Sequence, residues 1–150
     1  MFAAMNAPVP DLTSLGVIGL IYQILLIVAQ WRIFTKAGES GWKSIIPILN
    51  TYTAFKIAWK PSMFWVSVLL GVLAVILVGL SNMFAELTML LMWLDVLVIA
   101  IVAVFGIVFT HKLSRAFGHG VPFTLGLLFF QPVFILILGF GRSDYHGADL

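Results

Sequence analysis

Asp95 is the one acidic residue inside a long apolar stretch of this sequence, and it is the first place to look for chemistry. A carboxylate at membrane depth costs about 2.5–3.5 kcal/mol on insertion scales, so it should face protein or water. Burial would also favour its neutral form. Gln23 and Gln131 fall near the middle of two other apolar stretches, with Tyr22 beside the first. Asp95, Gln23 and Gln131 together define a candidate polar core that could relay a proton or hold a solute. The simpler expectation is interhelical glue. Polar contacts between membrane helices contribute about 0.6 kcal/mol each, no cation shares the membrane interior with Asp95, and one acid with two amides suffices to fix helix register.

Other chemistries find less support. The sequence has no cysteine, which removes thiolate metal sites and cysteine nucleophiles. His111 and His119 are eight apart around a turn, and His146 is expected on the opposite side of the membrane. No H-x-x-x-H or H-E-x-x-H spacing occurs. Neither a metal site nor any cofactor is expected. No nucleophile–base pair and no phosphate-cradling glycine loop stands out. G-E-S-G at residues 38–41 lacks the strand–turn–helix setting of a nucleophile elbow.

A third set of residues is basic and aromatic. Arg32, Lys36, Trp42, Lys43, Pro47, Asn50, Lys56 and Lys60 cluster after the first apolar stretch. They form a candidate loop for anionic lipid headgroups or a protein partner, each cation near a charged surface contributing about 1 kcal/mol. At a minimum they set topology.

The elements that must position these groups follow from composition. Hydrophobic residues make up 62% of the 150 residues and charged residues only 9%, with mean hydropathy +1.13. A soluble domain carries roughly 25% charged residues and could not bury so much apolar surface. The formal charge of +2 is too small to argue for nucleic acid. A spanning helix needs about 20 mostly apolar residues. Residues 12–34, 62–80, 87–110 and 122–140 meet or approach that length. The segment 42–59 does not: Lys43 and Lys56 bound its uncharged run, and Pro47 should break or kink a helix. It is expected to be interfacial or re-entrant, with Trp42, Tyr52 and Trp59 at headgroup level. The predicted fold class is therefore an all-α membrane protein, a single domain over residues 1–150. It is a four-helix transmembrane bundle with an amphipathic segment between helices 1 and 2. With four spans, Arg32, Lys36, Lys43, Lys56, Lys60, Lys112 and Arg115 share one side. That side should be cytoplasmic, which puts both termini outside. The first 13 residues hold no Lys or Arg, so no cleavable signal peptide is expected.

Two turns echo each other. Thr35-Lys36-Ala37 and Ser114-Arg115-Ala116 each end a predicted helix, and each precedes an apolar segment with an internal proline, Pro47 or Pro132. Parallel repeats of this kind occur in transporters, and convergent helix-end chemistry would produce the same look.

The stretch W-R-I-F-T-K-A-G-E-S-G-W-K-S-I-I-P-I-L-N-T-Y, residues 31–52, resembles the signature of a small bacterial membrane family catalogued only as a domain of unknown function. R-A-F-G-H-G at 115–120 and I-L-G-F-G-R-S-D-Y-H-G at 137–147 are similar to it as well. The resemblance implies a bacterial inner-membrane protein. Some members carry the label signal peptidase I. A Ser/Lys peptidase needs both groups within hydrogen-bond reach, yet every lysine here falls on the expected cytoplasmic side, so no catalytic residue is carried over. The expected function is a non-enzymatic scaffold or accessory subunit that binds lipid or a partner, through the basic loop. It sits in the lipid bilayer, as a homo-oligomer or beside another membrane protein. The alternatives are a small oligomeric transporter or channel built on the polar core and, last, a membrane enzyme.

Overall fold

The computed structural model describes residues 12–148. Its order is α1 (Leu12–Lys36), a 3₁₀ turn (Gly41–Ser44), α2 (Pro47–Ala58), α3 (Pro61–Met83), a second 3₁₀ turn (Ala85–Leu87), α4 (Thr88–Ala116), α5 (Val121–Phe129) and α6 (Gln131–Phe140). The all-α class is as expected. Three helical stretches, Leu15–Lys36, Pro61–Met83 and Ala85–Ala116, are long and apolar enough to cross a membrane.

The expected fourth span, 122–140, is not one helix. It divides at Phe130, where the backbone turns to φ −128°, ψ 43°. The cause is Pro132. It has no N–H to give the carbonyl of Leu128, and its ring would clash with that carbonyl in a continuous helix. It fits instead in the first turn of a new one. The chain then doubles back. Gly126 and Phe134 would lie about 12 Å apart along a single helix, but the Phe134 ring occupies the space where a Cβ on Gly126 would be. Phe123 and Phe134 pack edge to face at 5.0 Å. At the foot of the hairpin, His119 Nε2 and Ser143 Oγ are 2.7 Å apart. Each limb is about 13–15 Å long, half of a roughly 30 Å hydrocarbon layer.

The second departure is lateral. α3 and α4 form an antiparallel hairpin, α4 packs on α5, α5 on α6 and α6 on α1. Among the described residues, the backbone of α1 comes close to neither α3 nor α4, and α1 and α4 share side-chain packing in the core at their last turns. The molecule has two separate arms, α1 and the α3–α4 hairpin, joined at the end where α1 and α4 finish. That end, here the basic end, holds the core: Ile33 and Phe34 of α1, Ile57 of α2, Ala116 at the end of α4 and Phe117 after it, and Leu138 of α6. Farther along, side chains of the long helices face outward, as they can in lipid and could not in water.

Pro47 divides the 42–59 segment as expected, with the 3₁₀ turn ending at Ser44 and Pro47 opening α2 from its first turn. Aromatic rings bind α2 to the hairpin arm: Phe55 lies 4.5 Å from Phe109 and Trp59 lies 5.4 Å from Phe105. The two echoing turns share a backbone motif. Gly38 (φ 76°) and Gly118 (φ 73°) adopt the left-handed conformation. Glu39 N–H then bonds the Phe34 carbonyl at 2.8 Å, and His119 N–H bonds the Ser114 carbonyl at 3.0 Å. Both are Schellman closures. They align Gly38 with Gly118, one residue away from the register that the shared hydroxyl, base and alanine indicate.

The tail from Gly141 to Ala148 lies at the basic end. Tyr145 Oη donates to the Ile57 carbonyl at 3.0 Å, and His146 N–H donates to the Ala116 carbonyl at 2.8 Å. This corrects the expectation that the C-terminal end lies opposite the basic loops: the α5–α6 hairpin returns the chain to the basic end. The expected outward N-terminus, residues 1–11, lies outside the described residues.

Candidate functional site

The three residues of the expected polar core are not brought together. Gln23 is exposed on the free length of α1, and Gln131 is exposed at the tip of the α5–α6 hairpin. Asp95 belongs to the other arm, 21 residues before the end of α4, where that helix shares the core with α1. The two amides do share a level. Gly139 packs on the Ala29 backbone. Gln131 lies eight residues above Gly139, about 12 Å, and Gln23 six above Ala29, about 9 Å. Tyr22, seven residues before Ala29, continues the stripe on which α1 buries Ala29 and Ile33, and Gln23 lies about 100° around the helix from Tyr22. Both are exposed beside the level of the hairpin tip.

Asp95 instead finds polar company inside its own arm. Thr88 lies seven residues earlier on the same face of α4, and Ser81 and Asn82 end α3 opposite. Together with Leu77, Val78, Leu91 and Met92, these line a cavity of about 260 Å³. One carboxylate oxygen, Oδ1, is buried there without a hydrogen-bond partner. The polar neighbours direct donors elsewhere: Ser81 Oγ gives its hydrogen to the Val78 carbonyl at 2.8 Å, Asn82 Nδ2 donates to the same carbonyl at 2.9 Å, and Thr88 Oγ1 donates to the Ser81 carbonyl at 3.0 Å. Sequence reasoning missed Asn82 and Thr88. The two-turn spacing from Thr88 to Asp95 was the available signal.

The basic loop is largely committed to internal contacts. Lys36 Nζ donates to the carbonyls of Leu138 at 2.7 Å and Gly141 at 2.8 Å. Those are orphan acceptors at the end of α6, and a cation there also complements the helix dipole. Arg32 sits 5.2 Å above the Phe140 ring. Glu39 pairs with Lys43 and with Lys56, each at 2.6 Å. The Lys43 hydrogen bond, followed by that of Lys56, holds the Glu39 carboxyl below the usual carboxylate range. Asn50 Nδ2 donates to Gln30 Oε1 of α1 and to the Ser44 carbonyl. Trp42 and Lys60 are exposed, and Pro47 starts α2.

The histidines gather at the basic end. A Cβ on Gly118 would come within 3.0 Å of His146 Cε1, so His146 shares that end with His119 rather than facing it across a membrane. His111 Nδ1 is 3.2 Å from Thr124 Oγ1. Among the described residues no three His, Cys, Asp or Glu side chains are placed to share a metal. The fold does create a Ser–His pair that the sequence conceals, Ser143 with His119. The imidazole stacks on Phe123 at 4.1 Å, and burial pushes its pKa down. Its visible role is to close the foot of the hairpin.

The comparison with known families gives one match: a family described as Family of unknown function (DUF5684) matches residues 42–148, from the first 3₁₀ turn through the C-terminal tail. No curated protein and no solved structure matches the chain.

Proposed function

We propose that this chain, which belongs to the family of unknown function DUF5684, is a non-enzymatic membrane scaffold or accessory subunit that seats a partner's transmembrane helix against the free length of α1. The carrying observation is that α1 and the α3–α4 arm do not pack along their length. A chain that only had to be stable would close its long helices on each other. Here a half-height hairpin lies between them, and α1 carries exposed Tyr22 and Gln23 at the level of its tip. An amide in hydrocarbon lacks a partner until another helix supplies one. The matching occupant is a membrane helix with its own hydroxyl or amide at mid-bilayer, supplied by another protein or by a second copy.

The charge distribution orients this module in a bacterial inner membrane. Lys60, Lys112 and Arg115 lie at the basic end without an ion-pair partner among the described residues. The excess of Lys and Arg there favours the cytoplasmic side. The same cations, rather than Lys36, Lys43 or Arg32, remain free to attract anionic headgroups.

A photo-crosslinking residue at Gln23 tests the reading in native membranes, with one at exposed Val75 of α3 as control. A discrete protein adduct from position 23, absent from position 75, is expected. Lipid adducts alone at both positions would contradict it.

A further inference from the structure

The cavity between α3 and α4 has a chemistry of its own, independent of whether α1 docks a partner. Its polar groups present acceptors. The hydroxyl hydrogens of Ser81 and Thr88 are taken by backbone carbonyls, and an amide hydrogen of Asn82 is taken by Val78. What remains for the cavity is mostly acceptors, the lone pairs of Ser81 Oγ and Thr88 Oγ1, the Asn82 carbonyl oxygen and the Asp95 carboxylate, beside the second N–H of Asn82. Asp95 Oδ1 is buried with no donor. A ligand made only of acceptors would find one donor there, the second Asn82 N–H, among several acceptors. An anion would meet Asp95.

We propose that this cavity binds a monovalent cation, with Asp95 as counter-charge and Asn82, Ser81 and Thr88 as neutral oxygen ligands. The charge follows from the single carboxylate: one positive charge neutralises the site, whereas a divalent ion would leave net charge in a low-dielectric region. The ligand type follows from the donor set. Carboxylate, amide and hydroxyl oxygens suit hard cations, and the lining has no imidazole or thiolate for a softer metal, its one sulfur being the thioether of Met92. About 260 Å³ exceeds a bare ion and holds one with several waters, each needing about 30 Å³. The same space and acceptors would take a small primary ammonium with its three N–H donors.

Position adds access. Asp95 is seven residues, about 10 Å, from the start of α4. Ser81, Asn82 and Thr88 flank the turn at the end opposite the basic platform. Exposed Glu86 in that turn adds negative charge beside the approach. A cation therefore reaches the site from the end of the molecule that carries few positive charges.

The test uses the full-length protein in nanodiscs. Thermal unfolding is followed while sodium chloride or methylammonium chloride replaces N-methyl-D-glucamine chloride at fixed ionic strength and pH. A saturable rise in Tm with either probe is expected, and the probe that acts distinguishes an inorganic ion from an ammonium group. Asp95→Asn should abolish the rise. Asn82→Leu and Thr88→Val should each weaken the apparent affinity at least tenfold; these carry the test if Asp95→Asn does not fold. A wild-type Tm that ignores both probes overturns the proposal, including the case where Tm follows pH alone and Asp95 is simply protonated. An unchanged response in all three variants overturns it as well.

Discussion

Lys36 and Gly141, 105 residues apart in sequence, are tied by a 2.8 Å hydrogen bond from the lysine ammonium to the glycine carbonyl. A second bond, to Leu138 at 2.7 Å, makes the lysine a cap on α6. The bond joins the end of α1 to the end of a hairpin limb, so both must lie at one level. That relationship separates this fold from a four-span bundle.

Replacing Lys36 with Met keeps the stem and removes the donor. Two carbonyls then lose a charge-assisted bond, each worth about 1.5–3 kcal/mol when the donor is charged. The expected result is a Tm lowered by several degrees in detergent, with α-helix content by circular dichroism nearly unchanged. An unaltered Tm would mean that water serves those carbonyls equally well.

Gly139 marks the closest approach of α6 to α1. A Cβ there would stand 2.6 Å from the Ala29 carbonyl oxygen and 2.8 Å from its Cα. Backbone cannot yield as a flexible side chain would. Gly139→Ala should therefore destabilise the protein by about 1–3 kcal/mol, whereas Gly71→Ala, with open space around it, should be nearly neutral. Chemical unfolding of both variants in one detergent checks the contrast.

Acid should loosen the basic end in two steps. Burial lowers the pKa of His119 from 6.5. The unfolded chain then binds the proton first, so this stability is present above the unfolded pKa and is lost as pH falls from there through the folded value. Glu39 has a carboxyl pKa lowered from 4.5 by Lys43 and Lys56, so its contribution is lost in a later, more acidic window. His119→Gln should remove the first decline in Tm and spare the second, and Glu39→Gln should do the reverse.

Much of this was legible in the sequence, for identifiable reasons. The long helices announce themselves through uninterrupted apolar runs, and the helix ends at Lys36 and Ala116 through the glycines that follow. The hairpin was concealed because residues 122–140 have a span's composition. Only Pro132, together with the absence of a side chain at Gly126, distinguishes a fold-back from a kink. The polar core misled because Gln23, Asp95 and Gln131 lie at plausible depths, and depth says nothing about which helices are neighbours. The basic loop misled differently: Glu39 can pair two lysines only when α2 brings Lys56 back to it, which no local pattern reveals.

The central claim is that α5 and α6 enter and leave the membrane on one side. The chain has no native cysteine, so single cysteines at Ser40, Glu86 and Asp144, all exposed, can be probed in intact cells with a membrane-impermeant maleimide and again after permeabilisation. The expected result is labelling of position 86 from outside, with positions 40 and 144 both protected until the membrane is opened. Labelling of position 144 from outside while position 40 stays protected would mean that residues 122–140 cross the bilayer, and would contradict the re-entrant fold.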